Sequence, residues 1–367
     1  MKDKMIYIMN VDWNWIKQRP HFLAEGLSDI FDITVLYQYR YGRKGFQKRE
    51  SRTLNLKPIY VVPRIDRYKR IRKLNDSIKS HVIRDIIKKQ KPKYLFLTFP
   101  DQVSAIPKEF NGIVIYDCMD NHSAFIKDTK QRKRLEKQEA TLMVRATAIF
   151  ASSDKLRAVL TARYSVTTKI SVVRNGYSGL ILNGIQKSKI QKSEEFTICY
   201  FGTISSWFNF EFIEKSLKDF RNLHYLLIGP LAGVTVPTLE RIHYTGTVEH
   251  DKLYEATKDA DCFVMPFIVN EIIESVDPVK LYEYINFNKN IICVYYSEVK
   301  RFGDFVHFYT DYKSFKKQIE TLIYNQQIKY SMQERITFLQ ENGWDIRVES
   351  IESTITKLRS NLKYENF

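Results

Sequence analysis

Several short stretches of this 367-residue chain combine residue types able to do acid–base or anion-binding chemistry. In IVIYDCMDNHSAF, Asp117, Asp120 and His122 fall within six residues at the end of an apolar run. A carboxylate there serves as a helix cap or as a general base. Asp117, still inside the run, reads as structural. Asp120 reads as the base, with His122 beside it. In DPVKLYEYINF, Pro278 opens an amphipathic helix whose first turn holds Lys280, with Glu283 three residues on. A lysine there opposes the helix dipole, so a nearby anion would account for it. A carboxylate accepts two hydrogen bonds from a ribose diol, so the two residues could hold a nucleotide at its diphosphate and its ribose. The same spacing also makes an ordinary ion pair. In ICYFGTISSW, a strand ends in Gly202-Thr203 ahead of Ser-Ser and a helix, which suits a phosphate as well as it suits simple capping. Asp12, Trp13 and Trp15 follow the first strand, and Arg19-Pro20 opens a helix. Two tryptophans there either enter the core or form an aromatic platform for a sugar. No GxGxxG follows that strand, so the dinucleotide fingerprint is absent.

The elements that must position these residues alternate. Apolar runs of four to seven residues read as strands at 5–10, 33–38, 58–63, 94–99, 113–118, 148–152 and 170–174, then at 196–202, 223–229, 242–246, 261–267, 290–296 and 305–310. Helical patterns lie at 20–29, 66–90, 129–146, 153–163, 208–219, 250–258, 278–287, 311–325 and 328–341. This alternation, occurring twice, predicts an α/β chain with two doubly wound, Rossmann-like sheets. The polar stretch 178–195 is the natural linker. In open α/β sheets ligands bind beyond the C-terminal strand ends, and each motif above lies just after a strand.

Composition narrows the function. With 44% hydrophobic residues the chain is not dominated by disorder. No run of about 18 apolar residues is present, so no transmembrane helix is expected, and the N-terminus has no long apolar segment of the kind a secretory signal carries. None of the four cysteines, Cys118, Cys199, Cys262 and Cys293, makes a CxxC pair, which suits buried thiols in a reducing compartment. Asp259-Ala-Asp261 has the spacing of a metal-binding DxD, but it lies at a helix end before a strand and reads as structural. No metal or other cofactor is expected.

The net charge of +16 is uneven. Residues 1–180 hold 36 Lys+Arg and 17 Asp+Glu; residues 181–367 hold 22 and 25. Between Arg40 and Lys93 there are 19 basic and 4 acidic residues. Such a region suits nucleic acid, an anionic membrane or an anionic substrate.

Taken in order, WIKQRPHFLAEGL (15–27), YDCMDNHSAF (116–125), VVRNGY (172–177), YFGTISSWF (200–208), YTGTVEHDKLYEATKDADCFVMPF (244–267), DPVKLYEY (277–284) and WDIR (344–347) resemble the GT-B glycosyltransferases, nearest to bacterial enzymes of cell-envelope polysaccharide synthesis. The resemblance runs over most of the chain, and the part from 200 to 284 is the more specific. It implies two Rossmann-like domains facing a cleft: an acceptor domain at 1–180, with Asp12, Trp13, Trp15 and Arg19 at the acceptor, and a nucleotide-sugar domain at 181–343. A C-terminal helix at 344–367 would cross back onto the first. Gly202, Thr203 and Lys280 would meet the donor diphosphate, Glu283 its ribose, and Thr247 and Val248 its base. The implied activity is sugar transfer from a nucleotide sugar to a saccharide or polyprenyl-diphosphate-linked acceptor, without a metal.

Two departures from the family bear on mechanism. The acidic residue that many retaining members carry eight positions before the ribose glutamate is replaced by Ser275, with Glu274 one step off. The usual Arg and Lys after the first strand of the second domain are missing from GTISSWFNF. Both favour inversion, with Asp120 as base. The basic segment 40–93 would then rest on the anionic inner face of the plasma membrane, giving a cytoplasmic, peripheral enzyme that does not bind nucleic acid. The competing readings are a nucleotide-sugar epimerase of the same fold, a basic nucleic-acid-binding protein, and an inactive scaffold.

Overall fold

The computed structural model describes residues 2–39, 49–62, 69–165, 168–182 and 195–364. The chain divides into two compact units, Met1–Ser178 with Gly343–Phe367, and Gly179–Asn342.

Unit 1 is built on seven strands: β1 (Lys4–Met9), β2 (Asp32–Gln38), β3 (Asn55–Ile59), β4 (Tyr94–Leu97), β5 (Ile113–Cys118), β6 (Ala148–Ala151) and β7 (Ile170–Val172). They pair in parallel in the order β3-β2-β1-β4-β5-β6-β7. Helices α1 (Arg19–Leu27), α2 (Lys69–Gln90), α3 (Thr129–Arg145) and α4 (Asp154–Arg163) connect them. Alternation along β1 sorts two cores. Ile6 and Ile8 face Ile83 and Ile87 of α2, Leu142 of α3 and Leu156 of α4. Met5, Tyr7 and Met9 face Leu23 and Leu27 of α1 together with Trp344, Val348, Ile351 and Ile355 from the end of the chain. Both faces of the sheet are therefore covered, which is why its strands read as unbroken apolar runs.

Unit 2 repeats the plan. Its strands are β8 (Phe196–Phe201), β9 (Ile204–Ser205), β10 (Leu223–Ile228), β11 (Leu231–Ala232), β12 (Ile242–Gly246), β13 (Cys262–Met265), β14 (Asn290–Val294) and β15 (His307–Tyr309). The main sheet is parallel, in the order β12-β10-β8-β13-β14-β15; β9 and β11 pair separately. The helices are α5 (Phe210–Asp219), α6 (Leu253–Thr257), α7 (Val279–Asn286), α8 (Tyr312–Tyr324), α9 (Met332–Glu341) and α10 (Trp344–Tyr364), the last belonging to unit 1. Side-chain caps fix several starts: Asp128 accepts from Gln131 N at 2.7 Å, Ser153 from Leu156 N at 3.0 Å, and Asn209 from Phe212 N at 3.1 Å. Each such cap contributes about 1 kcal/mol.

Helix α10 lies on α1, with Phe22 and Trp344 stacked at 5.1 Å. Gly26 permits this approach, since a Cβ there would stand 2.5 Å from Val348 Cγ2.

The strand expected at 58–63 runs instead over Asn55–Ile59. It is the edge strand, where Pro58 removes no ladder bond that the sheet needs. The helix expected at 250–258 is a 3₁₀ turn, His250–Lys252, followed by α6. Of the expected linker, 183–194 lie outside the described residues, as do 40–48 and 63–68 of the basic segment.

Candidate functional site

In each main sheet the strand order reverses once, between β1 and β4 in unit 1 and between β8 and β13 in unit 2. Backbone leaving the sheet near these points opens a crevice at the strands' C-terminal ends. The loops after β1, β5, β8 and β12 carry the residues singled out from sequence.

In unit 1, Asp117 ends fully buried. It does not face outward as a strand-end carboxylate was expected to. Arg19 Nη2 donates to its Oδ1 at 2.7 Å and Nε to its Oδ2 at 2.9 Å. Nη1 of Arg19 donates to Arg174 O at 3.1 Å. Arg19 is 5% exposed and so ties the start of α1 to the ends of β5 and β7. This corrects its assignment to the acceptor. Trp13 is corrected too: it is 2% exposed, packs in the core against His21 at 5.0 Å, and offers no open face to a sugar. His21 Nδ1 accepts from Gln18 N at 3.2 Å, so Nε2 carries the proton donated to Trp13 O at 3.2 Å. Asp12 is buried as well, its Oδ1 accepting from Asn14 N at 2.9 Å and shaping the turn that follows β1. Trp15 is half-buried and Ile16 beyond it exposed.

Asp120 behaves differently. Its carboxylate has no hydrogen-bond partner among the described residues, and part of its surface is open. Desolvation pushes the carboxyl up to about 7; Asp117 adds to the rise and Arg19 opposes it. A carboxyl poised there is matched to general base work near neutral pH. His122 donates its backbone N–H to Asp120 O at 2.8 Å, and its ring lies 4.7 Å from that of Phe99. Burial lowers the imidazole to about 4, so it is neutral at pH 7, and its Nε2 has no partner.

In unit 2, Gly202 follows β8 with φ +138°, a conformation that favours glycine. Lys280 crosses directly over it: a methyl group on Gly202 would stand 1.8 Å from Lys280 Cε. The ammonium makes no hydrogen bond or ion pair among the described residues. Desolvation lowers its pKa, with Glu283 pulling it back up. A buried cation without a counter-charge is costly, so this position is pre-set for an anion. Glu283 lies on the next turn of α7 and accepts from, or pairs with, His250, whose Nε2 is 2.7 Å from Glu283 Oε1. His250 was not among the residues found from sequence; the two are 33 positions apart and no local signal joins them. Thr203 O accepts from Tyr200 OH at 2.8 Å. Thr247 is exposed and Val248 half-buried, just past β12.

Two expectations about this loop are revised. Ser205 does not cap a helix: it lies in β9, and its hydroxyl donates to Ala232 O at 2.9 Å. Helix α5 begins only at Phe210, capped by Asn209, so its N-terminus is not at Gly202. Asp261 is structural as read, accepting from Thr197 N at 2.7 Å. Among the described residues, no group of three or more His, Cys, Asp or Glu gathers in a way that could hold a metal ion. All four cysteines are free and buried.

No family model matches the chain. It is 24% identical over 196 residues to TuaH of Bacillus subtilis (strain 168), named as a teichuronic acid biosynthesis glycosyltransferase; the match covers 49% of this chain and spans about half the length, 49%, of that relative. Among solved structures it is similar to sucrose-phosphate synthase from Thermosynechococcus elongatus, with a TM-score of 0.76 and 10% identity over 98% of this chain and 100% of that one. The lipopolysaccharide outer core galactosyltransferase WaaB gives a TM-score of 0.66 and 11% identity over 96% and 99%. Anabaena HepE, solved in complex with UDP and glucose, gives 0.67 and 12% over the same shares. At such identities the likeness is one of fold, and the fold of this chain is GT-B: two Rossmann-like units, each built on a parallel α/β sheet.

Proposed function

We propose that this chain is a glycosyltransferase that moves a sugar from a nucleotide-sugar donor to a saccharide or lipid-linked acceptor in cell-envelope polysaccharide synthesis. The observation that carries the reading is Lys280: a desolvated ammonium without a counter-charge, laid over the bare backbone of Gly202 and one turn from Glu283. The printed functions of the B. subtilis relative and of the structural neighbours support it.

In this reading unit 2 holds the donor. Lys280 and the backbone at Gly202 and Thr203 meet the diphosphate, Glu283 meets the ribose, and Thr247 and Val248 meet the base through backbone groups. Unit 1 supplies Asp120, which takes the proton from an acceptor hydroxyl. The hydroxyl oxygen bonds to the anomeric carbon as the bond to the diphosphate breaks, inverting that carbon. Lys280 stabilises the charge that develops on the leaving group, so the step is metal-independent. His122, neutral and adjacent, assists Asp120. Trp15 is the acceptor contact left by the burial of Asp12, Trp13 and Arg19.

The basic first half serves a membrane. No helix among the described residues is long and apolar enough to cross one. Helices α2 and α3 expose Arg70, Lys73, Arg84, Lys88 and Lys89, and Lys130, Lys133, Arg134 and Lys137, with no exposed acidic side chain on either. With the rest of 40–93, these suit peripheral attachment to an anionic inner leaflet in the cytoplasm, at about 1 kcal/mol per basic residue near the surface.

A thermal-shift screen of nucleoside diphosphates and nucleotide sugars tests the donor site, because a ligand that binds only the native state raises its apparent stability. One specific hit, lost in Lys280→Ala and in Glu283→Ala, is expected. No hit with any nucleotide would overturn the reading. Co-sedimentation with anionic but not neutral vesicles tests the membrane face; equal binding to both would remove it.

A further inference from the structure

Beneath the loop that carries Asp120 lies a buried polar cluster to which the reaction assigns no role. Glu139 of α3 is 2% exposed. Tyr116 OH donates to its Oε1 at 2.7 Å and Tyr164 OH to its Oε2 at 2.7 Å. Arg163, the last residue of α4, brings Nη1 to 3.7 Å from Glu139 Oε2. The same guanidinium reaches forward: Nη1 donates to Ser123 Oγ at 2.9 Å and Nη2 to Asn121 Oδ1 at 3.2 Å. These two acceptors flank His122 and follow Asp120 directly. The loop is fastened elsewhere only through main-chain carbonyls, with Ser152 Oγ donating to Met119 O at 2.7 Å and Cys118 Sγ to Asp120 O at 3.4 Å.

We propose that Arg163 is a positioning residue for Asp120: its guanidinium, held from behind by Glu139, clamps the Asn121–Ser123 turn and so keeps the Asp120 carboxyl in its desolvated place. This rests on Asp120 being the base. The chemistry of the cluster favours a clamp over a plain core ion pair. A guanidinium presents a planar fork whose donors can engage a carboxylate and two further acceptors at once. Glu139 has its oxygens filled by two tyrosine hydroxyls, which leaves the Arg163 fork directed at the loop. Buried groups of this kind set geometry because any loosening leaves a charge without partners.

The test is Arg163→Ala, with Ser123→Ala as a milder variant that removes one acceptor and leaves the Glu139 pairing alone. Three readouts are needed: amide hydrogen exchange over 119–126, the pH–rate profile of transfer, and the thermal shift given by the nucleotide found for unit 2. In Arg163→Ala, exchange at His122 and Ala124 should speed up by about tenfold or more while β5 stays protected. The acid limb of the rate profile should move below 7 toward the ordinary carboxylate range, because a loosened turn hydrates Asp120. The nucleotide shift should be unchanged. Unaltered exchange in both variants would overturn the clamp itself, whatever Asp120 does. Faster exchange with an unmoved acid limb would overturn the positioning role. Near-normal turnover in Asp120→Asn would instead remove Asp120 as base, and it is read independently of the exchange result.

Discussion

His250 Nε2 lies 2.7 Å from Glu283 Oε1, so the carboxylate proposed to hold the donor ribose already has a partner in the ligand-free chain. The hydrogen bond to Glu283 raises the imidazole's pKa above its usual 6.5, against a smaller opposing desolvation. Folding therefore favours the protonated form. The stability this contributes is complete below about pH 6.5 and is lost as pH rises through the raised value. His250 is largely exposed, so the contribution stays below about 1 kcal/mol. Wild type should melt slightly above His250→Ala in acid and equal it in alkali. A difference that grows with pH would refute the pairing.

Lys280 should be a residue the apo protein is better off without. Its ammonium is desolvated and has no counter-charge among the described residues. Lys280→Met keeps the length and removes the charge, so urea unfolding should show equal or greater stability, by on the order of 1 kcal/mol. The nucleotide-induced thermal shift should vanish in the same variant. Clear destabilisation would mean that the lysine has a structural task.

Gly202→Ala should do the opposite to the fold and the same to the ligand. A Cβ at φ +138° is strained and would meet Lys280 Cε at 1.8 Å. The expected cost is about 1–3 kcal/mol, with loss of nucleotide binding. Calorimetric titration with the nucleotide checks this, and retained affinity would place the diphosphate elsewhere.

Asp120 links transfer to pH. Desolvation raises its carboxyl from 3.8 to about 7, so the folded chain holds the proton more tightly than the unfolded one. The stability gained from that proton is complete below about 3.8 and is gone once pH passes about 7. Asp120→Asn mimics the protonated side chain. It should melt above wild type at pH 8, match it at pH 4, keep the nucleotide shift and abolish transfer. The wild-type rate should rise through an acid limb near 7, and a limb near 4 would exclude Asp120 as the titrating base.

The Arg19–Asp117 pair is the most exacting contact in unit 1. Removing one partner strands a buried charge, at about 3–5 kcal/mol. Asp117→Ala should show that loss in urea, and Arg19→Lys should not be tolerated as a conservative change, because lysine lacks the fork that spans both carboxylate oxygens. A near-native midpoint for Arg19→Lys would contradict the geometry.

The sequence by itself determined the two parallel sheets and the loops that matter. Burial acts residue by residue, so an apolar run such as IVIY records a strand covered on both faces wherever its neighbours lie. It also determined that Asp120, Lys280 and Glu283 follow strands or open a helix. The tertiary structure alone decided which polar residues meet. Arg19 and Asp117 are 98 positions apart, and His250 and Glu283 are 33 apart. Their meeting depends on strand order, which local periodicity does not encode. The same holds for Trp13, which chain position left between core and sugar platform. The α1 and α10 helices closing over β1 put it in the core.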